Sequence, residues 1–387
     1  MYRGTTLRLA AGGFVAALAL SACGGTPDKA PAQLSSATGD QVLKGVCPET
    51  VVLQTDWIPE AEHGASYQLL GPNPTVDADR KRVTGRLVTG GADTGVKLEI
   101  RAGGPAIGFQ TATSLMYQDP AITLGQINTD EAVMLSGTQP TTAVVAPLDI
   151  GPHMIMWDPR KHPTWNTIAD IGRSDAKVLY YSSATLMDYL TGSGILKPSQ
   201  VDGSYDGSPA AFVAAGGAVA QQGFATMEPF LYEKQLAQWR KPVKFQLLHE
   251  AGFPLYPEAL SIRSNRKAEL APCLKKLVPM IQRAQVDYLR APEPVNKLIV
   301  ELDRKYRVGV SYTAEQAAFS TEQQQKLKIV GNGPNATLGD FQADRVKRII
   351  DVVSPIAAAQ RKPMRQNLTV EDIATNEFID PAIGLTP

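Results

Sequence analysis

The regular alternation of strand-like apolar runs with helix-like segments constrains this chain more than any other feature. Val51–Thr55, Val96–Ile100, Ala121–Ile127 and Thr142–Ala146 are short runs rich in Val, Ile, Leu and Thr, and helix candidates at Ala106–Tyr117 and Asp130–Ser136 lie between them. Consecutive parallel strands need a crossover, which a helix usually supplies, so this pattern predicts an α/β architecture with mostly parallel sheets flanked by helices. Pro147-Leu148-Asp149-Ile150-Gly151-Pro152 then punctuates the chain as a passage between domains would. A second series follows, with strands at Met154–Trp157, Lys177–Tyr181, Ala218–Thr226 and Val243–Leu248.

After a short strand at Ala259–Arg263 the chain turns helical. Leu274, Leu277, Val278 and Ile281 keep the i, i+3, i+4, i+7 spacing of a core-facing stripe, as do Val295, Leu298, Ile299 and Leu302, and Val346, Ile349, Ile350 and Val353. The expected organisation is a first lobe made of 42–148 plus 250–387 and a second of 149–249. No repeat of fixed period appears, so solenoids and propellers drop out.

Charge narrows the partners. The 387 residues hold 38 Lys+Arg against 38 Asp+Glu, with no basic run of the kind that marks a nucleic-acid surface. Arg3 and Arg8 precede an apolar stretch, Leu9–Leu20, that is too short to cross a bilayer, and Leu20-Ser21-Ala22-Cys23 resembles a bacterial lipobox. Residues 1–22 are therefore expected to be a signal peptide and Cys23 the lipidated residue. The polar, Gly/Pro/Ser-containing stretch 23–41 is expected to be a flexible tether. No later run reaches the ~18 apolar residues of a membrane span. Cys47 and Cys273 remain, an even pair that in an oxidising compartment reads either as a disulfide or as two buried thiols.

Catalytic motifs are mostly missing. Gly331-Asn332-Gly333-Pro334-Asn335-Ala336 matches a dinucleotide-binding string but carries a proline in its turn and reads as a loop. There is no Gly-Lys dipeptide for a P-loop and no G-x-S-x-G. The four histidines, His63, His153, His162 and His249, have no zinc-ligand spacing, so no metal and no cofactor are expected. What stands out is aromatic and polar residues at strand ends, where open α/β sheets bind ligands. Trp57, Trp157 and Tyr181 would stack on a planar or cationic ligand. Asp56 and Glu228 would accept from its N–H groups. Asn128 ends another strand, and Arg101, at the end of Val96–Ile100, is the residue that would suit an anion.

Asp56-Trp57-Ile58-Pro59-Glu60-Ala61-Glu62-His63 resembles the Asp-Trp-x-Pro-x-x-x-His motif of the thiamine-pyrimidine-precursor-type solute-binding proteins, within the nitrate/sulfonate/taurine group of ABC importers. Gln221–Pro229 looks like that family's strand followed by Glu-Pro, and Thr369–Asp380 resembles its C-terminal helix, so the resemblance runs from about Val51 to Gly384. It implies a two-lobed periplasmic-binding-protein-like fold of the second type, with Trp57 and His63 lining one lobe and Glu228 the other. It further implies an extracytoplasmic solute-binding component of an ABC importer, without catalysis, that captures a heteroaromatic solute and partners a membrane permease. With the lipobox, a lipid-anchored monomer is expected, and the alternatives are an anion-binding protein of the same class or an exported enzyme or sensor lipoprotein on this scaffold. The cysteine-rich iron-binding cluster of the eukaryotic pyrimidine-forming relatives has no counterpart here. Gly71–Asp93 looks longer than the usual first-lobe loops.

Overall fold

The structure, a computed structural model, describes residues 34–182, 185–308 and 311–386. The expected signal peptide, Cys23 and most of the tether lie outside the described residues. The packed chain starts ahead of residue 42, because β1 (Ser35–Ser36) already pairs in parallel with β5 (Ala92–Arg101).

Two sheets are present. Besides β1 and β5, the first contains β2 (Thr50–Gln54), β3 (Thr75–Asp77), β4 (Arg82–Thr89), β6 (Ile122–Ile127), β7 (Thr141–Val145) and β13 (Ala259–Arg263), in the order β3-β4-β5-β2-β6-β13-β7 with β1 beside β5. The second contains β8 (His153–Trp157), β9 (Val178–Leu179), β10 (Val201–Asp202), β11 (Ala220–Phe224) and β12 (Lys244–Leu247), in the order β10-β9-β11-β8-β12. Parallel pairing is confined to part of each sheet, namely β5-β2-β6 with β1 in the first and β10-β9-β11 in the second. The remaining pairs are antiparallel. The expectation of mostly parallel sheets is refined accordingly, and the cause is chain direction. A strand that follows a tight connection, such as β4 to β5, or that returns from the other sheet, as β13 does between β6 and β7, enters reversed.

Burial follows this topology. The central β6 and the terminal β7, whose outer side is covered at Ala143 by the segment holding Ala374 and Thr375, are buried at every residue, whereas β5 alternates, with Ala92, Thr94, Val96, Leu98 and Ile100 inward. A strand with one face on the core and one wetter face shows that period of two. The same alternation explains why Gly71–Asp93 contains strands rather than a long loop. Val83 and Leu87 of β4 are wholly buried while its charged Arg82 and Arg86 look outward.

The predicted stripes pack as expected. Leu274, Leu277, Val278 and Ile281 face the core from helix Lys267–Arg290, and Val346, Ile349, Ile350 and Val353 from helix Ala343–Ala359. Cys47 and Cys273 are bonded, tying the segment before β2 to the long helix. Among the described residues no helix is long and apolar enough to cross a membrane.

Candidate ligand-binding site

The site starts where β2 ends. Past Gln54 the chain turns at Asp56 and Trp57, and the start of the next loop holds that turn. Gly103 N–H donates to Trp57 O at 2.8 Å, and Gly104 N–H donates to Asp56 O at 2.9 Å. Gly104 has a φ of +57°, and a Cβ there would sit 2.6 Å from the indole of Trp57. Only glycine accommodates both the backbone angle and the ring lying against it.

One short 3-10 turn later, Ala61–His63 carries the imidazole into the interior, where His63 is 1% exposed. Its Nε2 lies 3.3 Å from Asp56 Oδ1, 3.6 Å from Glu258 Oε2 and 3.8 Å from Glu60 Oε1. Neither ring nitrogen makes a hydrogen bond, and the facing Asp56 Oδ1 and Glu258 Oε2 make none either. Glu258 comes from the segment returning to β13. It sits at a φ of 49°, unusual for a residue with a side chain, and its N–H donates to Asn128 Oδ1 at 2.9 Å. Asn128 follows directly on β6, so β2, β6 and β13 all deliver groups to one place.

Carboxyl groups crowd together here, and burial and crowding oppose their ionisation. Burial, then the neighbouring Glu62, Glu258, Asp56 and Glu228, push the Glu60 carboxyl well above the usual range. Burial, then Asp56 and Glu62, do the same to Glu258. Glu228, which opens the short helical turn Glu228–Phe230 after β11, is raised to about 7 by burial, although Phe224 N–H at 2.6 Å and Tyr205 O–H at 3.3 Å both donate to it. Among the described residues no Lys or Arg pairs with Asp56, Glu60, Glu62, Glu228 or Glu258; His63 is the one basic partner.

Aromatic rings lie alongside. Trp57 is 5.9 Å from Phe109, and Phe109 is 6.0 Å from Tyr181, measured between ring centroids. The row therefore runs from the loops of the first sheet to the end of β9 in the second. Phe109 is half exposed and holds a φ of 59°.

Of the residues singled out from sequence, Asp56, Trp57, His63, Asn128, Tyr181 and Glu228 are thus gathered at the junction of the lobes. Trp157 is a correction: it is fully buried in the core, edge-on to Trp165 at 6.4 Å, because β8 is an interior strand of its sheet. Arg101 is a second correction. Its Nε donates to Glu99 at 2.7 Å and its Nη1 to Asp119 at 2.7 Å, so its charge is already paired. Sequence reasoning missed Glu258, Phe109, Glu60 and Glu62. The last two stand inside the Asp56–His63 motif, but Glu258 and Phe109 belong to loops with no local pattern to mark them.

No protein-family model and no curated protein sequence matches the chain. Solved structures do. A protein from Bordetella bronchiseptica RB50 superposes with a TM-score of 0.53 at 12% identity, covering 86% of this chain and 96% of its own. The periplasmic aliphatic sulphonate binding protein SsuA from Escherichia coli gives 0.52 at 14%, covering 88% and 95%. The alkanesulfonate-binding protein SsuA from Xanthomonas axonopodis pv. citri bound to MOPS gives 0.52 at 12%, covering 85% and 99%. The fold is that of a periplasmic binding protein. In this periplasmic-binding-protein fold the two sheets are the two lobes, and the acidic cluster and aromatic row lie where the lobes meet.

Proposed function

We propose that this protein is the extracytoplasmic solute-binding component of an ABC importer, held to the membrane by lipid on Cys23. It captures a small, amine-bearing heteroaromatic solute of the thiamine-pyrimidine-precursor kind and passes it to a membrane permease. The two-lobed fold supports the class, since closure of one lobe on the other couples binding to a surface a permease can read. Nothing in this role requires catalysis or an oligomer.

The observation that carries the solute class is the charge of the junction. Asp56, Glu60, Glu62, Glu228 and Glu258 converge there without, among the described residues, a Lys or Arg partner. An unpaired buried carboxylate costs several kcal/mol, which a cationic or N–H-rich ligand offsets and an anion aggravates. Trp57, Phe109 and Tyr181 supply faces for a planar or cationic ring. The neighbours named for sulphonates bind the opposite charge. Here the one arginine that suited such a ligand, Arg101, is held by Glu99 and Asp119.

Thermal unfolding in the presence of EDTA, against aminopyrimidines, thiamine, riboflavin, nitrate and alkylsulfonates, tests the reading. Saturating ligand raises the midpoint by mass action. Stabilisation by an aminopyrimidine or related amine is expected, whereas stabilisation by nitrate or a sulfonate alone would overturn the solute class.

A further inference from the structure

The separations around His63 are wrong for hydrogen bonds and right for something else. An imidazolium donating to a carboxylate sits about 2.7–2.9 Å from it. His63 Nε2 is instead 3.3 Å from Asp56 Oδ1 and 3.6 Å from Glu258 Oε2, with all three atoms within 4.8 Å of one another. Ligands bound at about 2.0–2.2 Å to one tetrahedral metal ion stand roughly 3.3–3.5 Å apart, which is the edge of the tetrahedron. A second observation points the same way. His63 and Glu258 are both more than nine-tenths buried, and the two atoms facing the gap, Nε2 and Oε2, have no hydrogen-bond partner.

We propose that Asp56, His63 and Glu258 form a binding site for a divalent first-row transition cation such as Zn2+. The imidazole nitrogen selects against Mg2+ and Ca2+, which prefer all-oxygen surroundings. Two carboxylates neutralise the ion, and Glu60 Oε1 lies nearby, 3.8 Å from His63 Nε2. Asp56 is the one ligand with substantial exposure, 33% of its side chain, so it is the side from which an ion reaches the site. Glu258 is presented by a left-handed backbone held by Asn128, the kind of local strain a fold retains where a side chain must point one way. The site stands on this geometry alone and needs no organic solute.

Isothermal titration of the EDTA-stripped, purified protein with Zn2+, with Mg2+ as the hard-cation control, decides it. The expected result is one Zn2+ per chain, weak or absent Mg2+ binding, and a loss of about 100-fold in Zn2+ affinity in His63→Ala and in Glu258→Gln. Asp188→Asn, at an acid outside the cluster, should bind as wild type does. No zinc uptake by the wild type, or undiminished uptake in both cluster variants, would overturn the site. Should a variant fail to fold, X-ray absorption of the zinc-loaded wild type decides instead: one imidazole nitrogen among oxygen neighbours supports the site, and a shell lacking imidazole refutes it. The solute panel runs in EDTA and this titration without solute, so the two readings fail separately.

Discussion

Asn128 Oδ1 accepts the backbone N–H of Glu258 at 2.9 Å, and this bond fastens the returning segment, with its left-handed Glu258, to the end of β6. A group placed by strain is only as well placed as the bond that holds it. Asn128→Ala is therefore expected to weaken solute binding about tenfold, roughly 1.4 kcal/mol. The same change should lower the unfolding midpoint by only a few degrees. Calorimetry on the variant checks this, and Asn128→Asp, which keeps the acceptor, should recover most of the affinity.

The aromatic row makes its own prediction. Trp57→Ala and Tyr181→Ala remove opposite ends of a row that spans both lobes. Each should lower affinity for an aminopyrimidine at least about tenfold, from lost stacking and cation–π attraction. Trp157→Phe should leave affinity unchanged and cost stability instead, because that indole is core. Paired titration and thermal melts separate the two outcomes.

Glu228 sets a pH dependence. Its folded-state value is raised from the ordinary 4.5 to about 7, chiefly by burial, so the folded protein keeps a proton that the unfolded chain has lost. Its contribution is fully present below the unfolded value and is lost as pH rises through the folded one. Glu228→Gln, neutral at every pH, should gain stability relative to wild type between pH 5 and 8, measured as the difference in midpoint across that range. A flat difference would contradict the buried, protonated state. His249 has the reverse sign: burial, then Arg345 and Arg348, lower it to about 4, so it destabilises the fold as pH falls from 6.5.

The Cys47–Cys273 bond closes a loop with a sequence separation of 226. Removing such a cross-link costs about 2–5 kcal/mol, largely through the unfolded chain. A double Cys→Ser variant should melt roughly 5 °C lower. Because Cys273 is only 1% exposed, mild reductant should act slowly on the native protein. Thiol counting during reduction, beside the melts, tests both statements.

Much of the architecture could be read from local pattern. Apolar runs such as Val51–Thr55 became strands, and the Leu274–Ile281 stripe became the inner face of a long helix, because periodicity of two or near four decides which face a segment can bury. The Asp56–His63 motif likewise brought Asp56 and His63 within reach of each other, since its residues are neighbours in the chain. Two assignments failed for a shared reason. Strand-end position did not show that Trp157 lies on an interior strand, or that Glu99 and Asp119 flank Arg101, because both depend on which strands and loops become neighbours.

By itself, then, the sequence determined the elements, the motif turn and the two cysteines available for bonding. Tertiary structure alone decided that Glu258 faces His63, that Phe109 links Trp57 to Tyr181, and that five acids share one junction. Local propensity acts over a few residues, whereas these groups meet only after β13 has inserted between β6 and β7 and the second lobe has returned to the first. The energy of each encounter depends on burial and on neighbours remote in the chain, so no single segment encodes it.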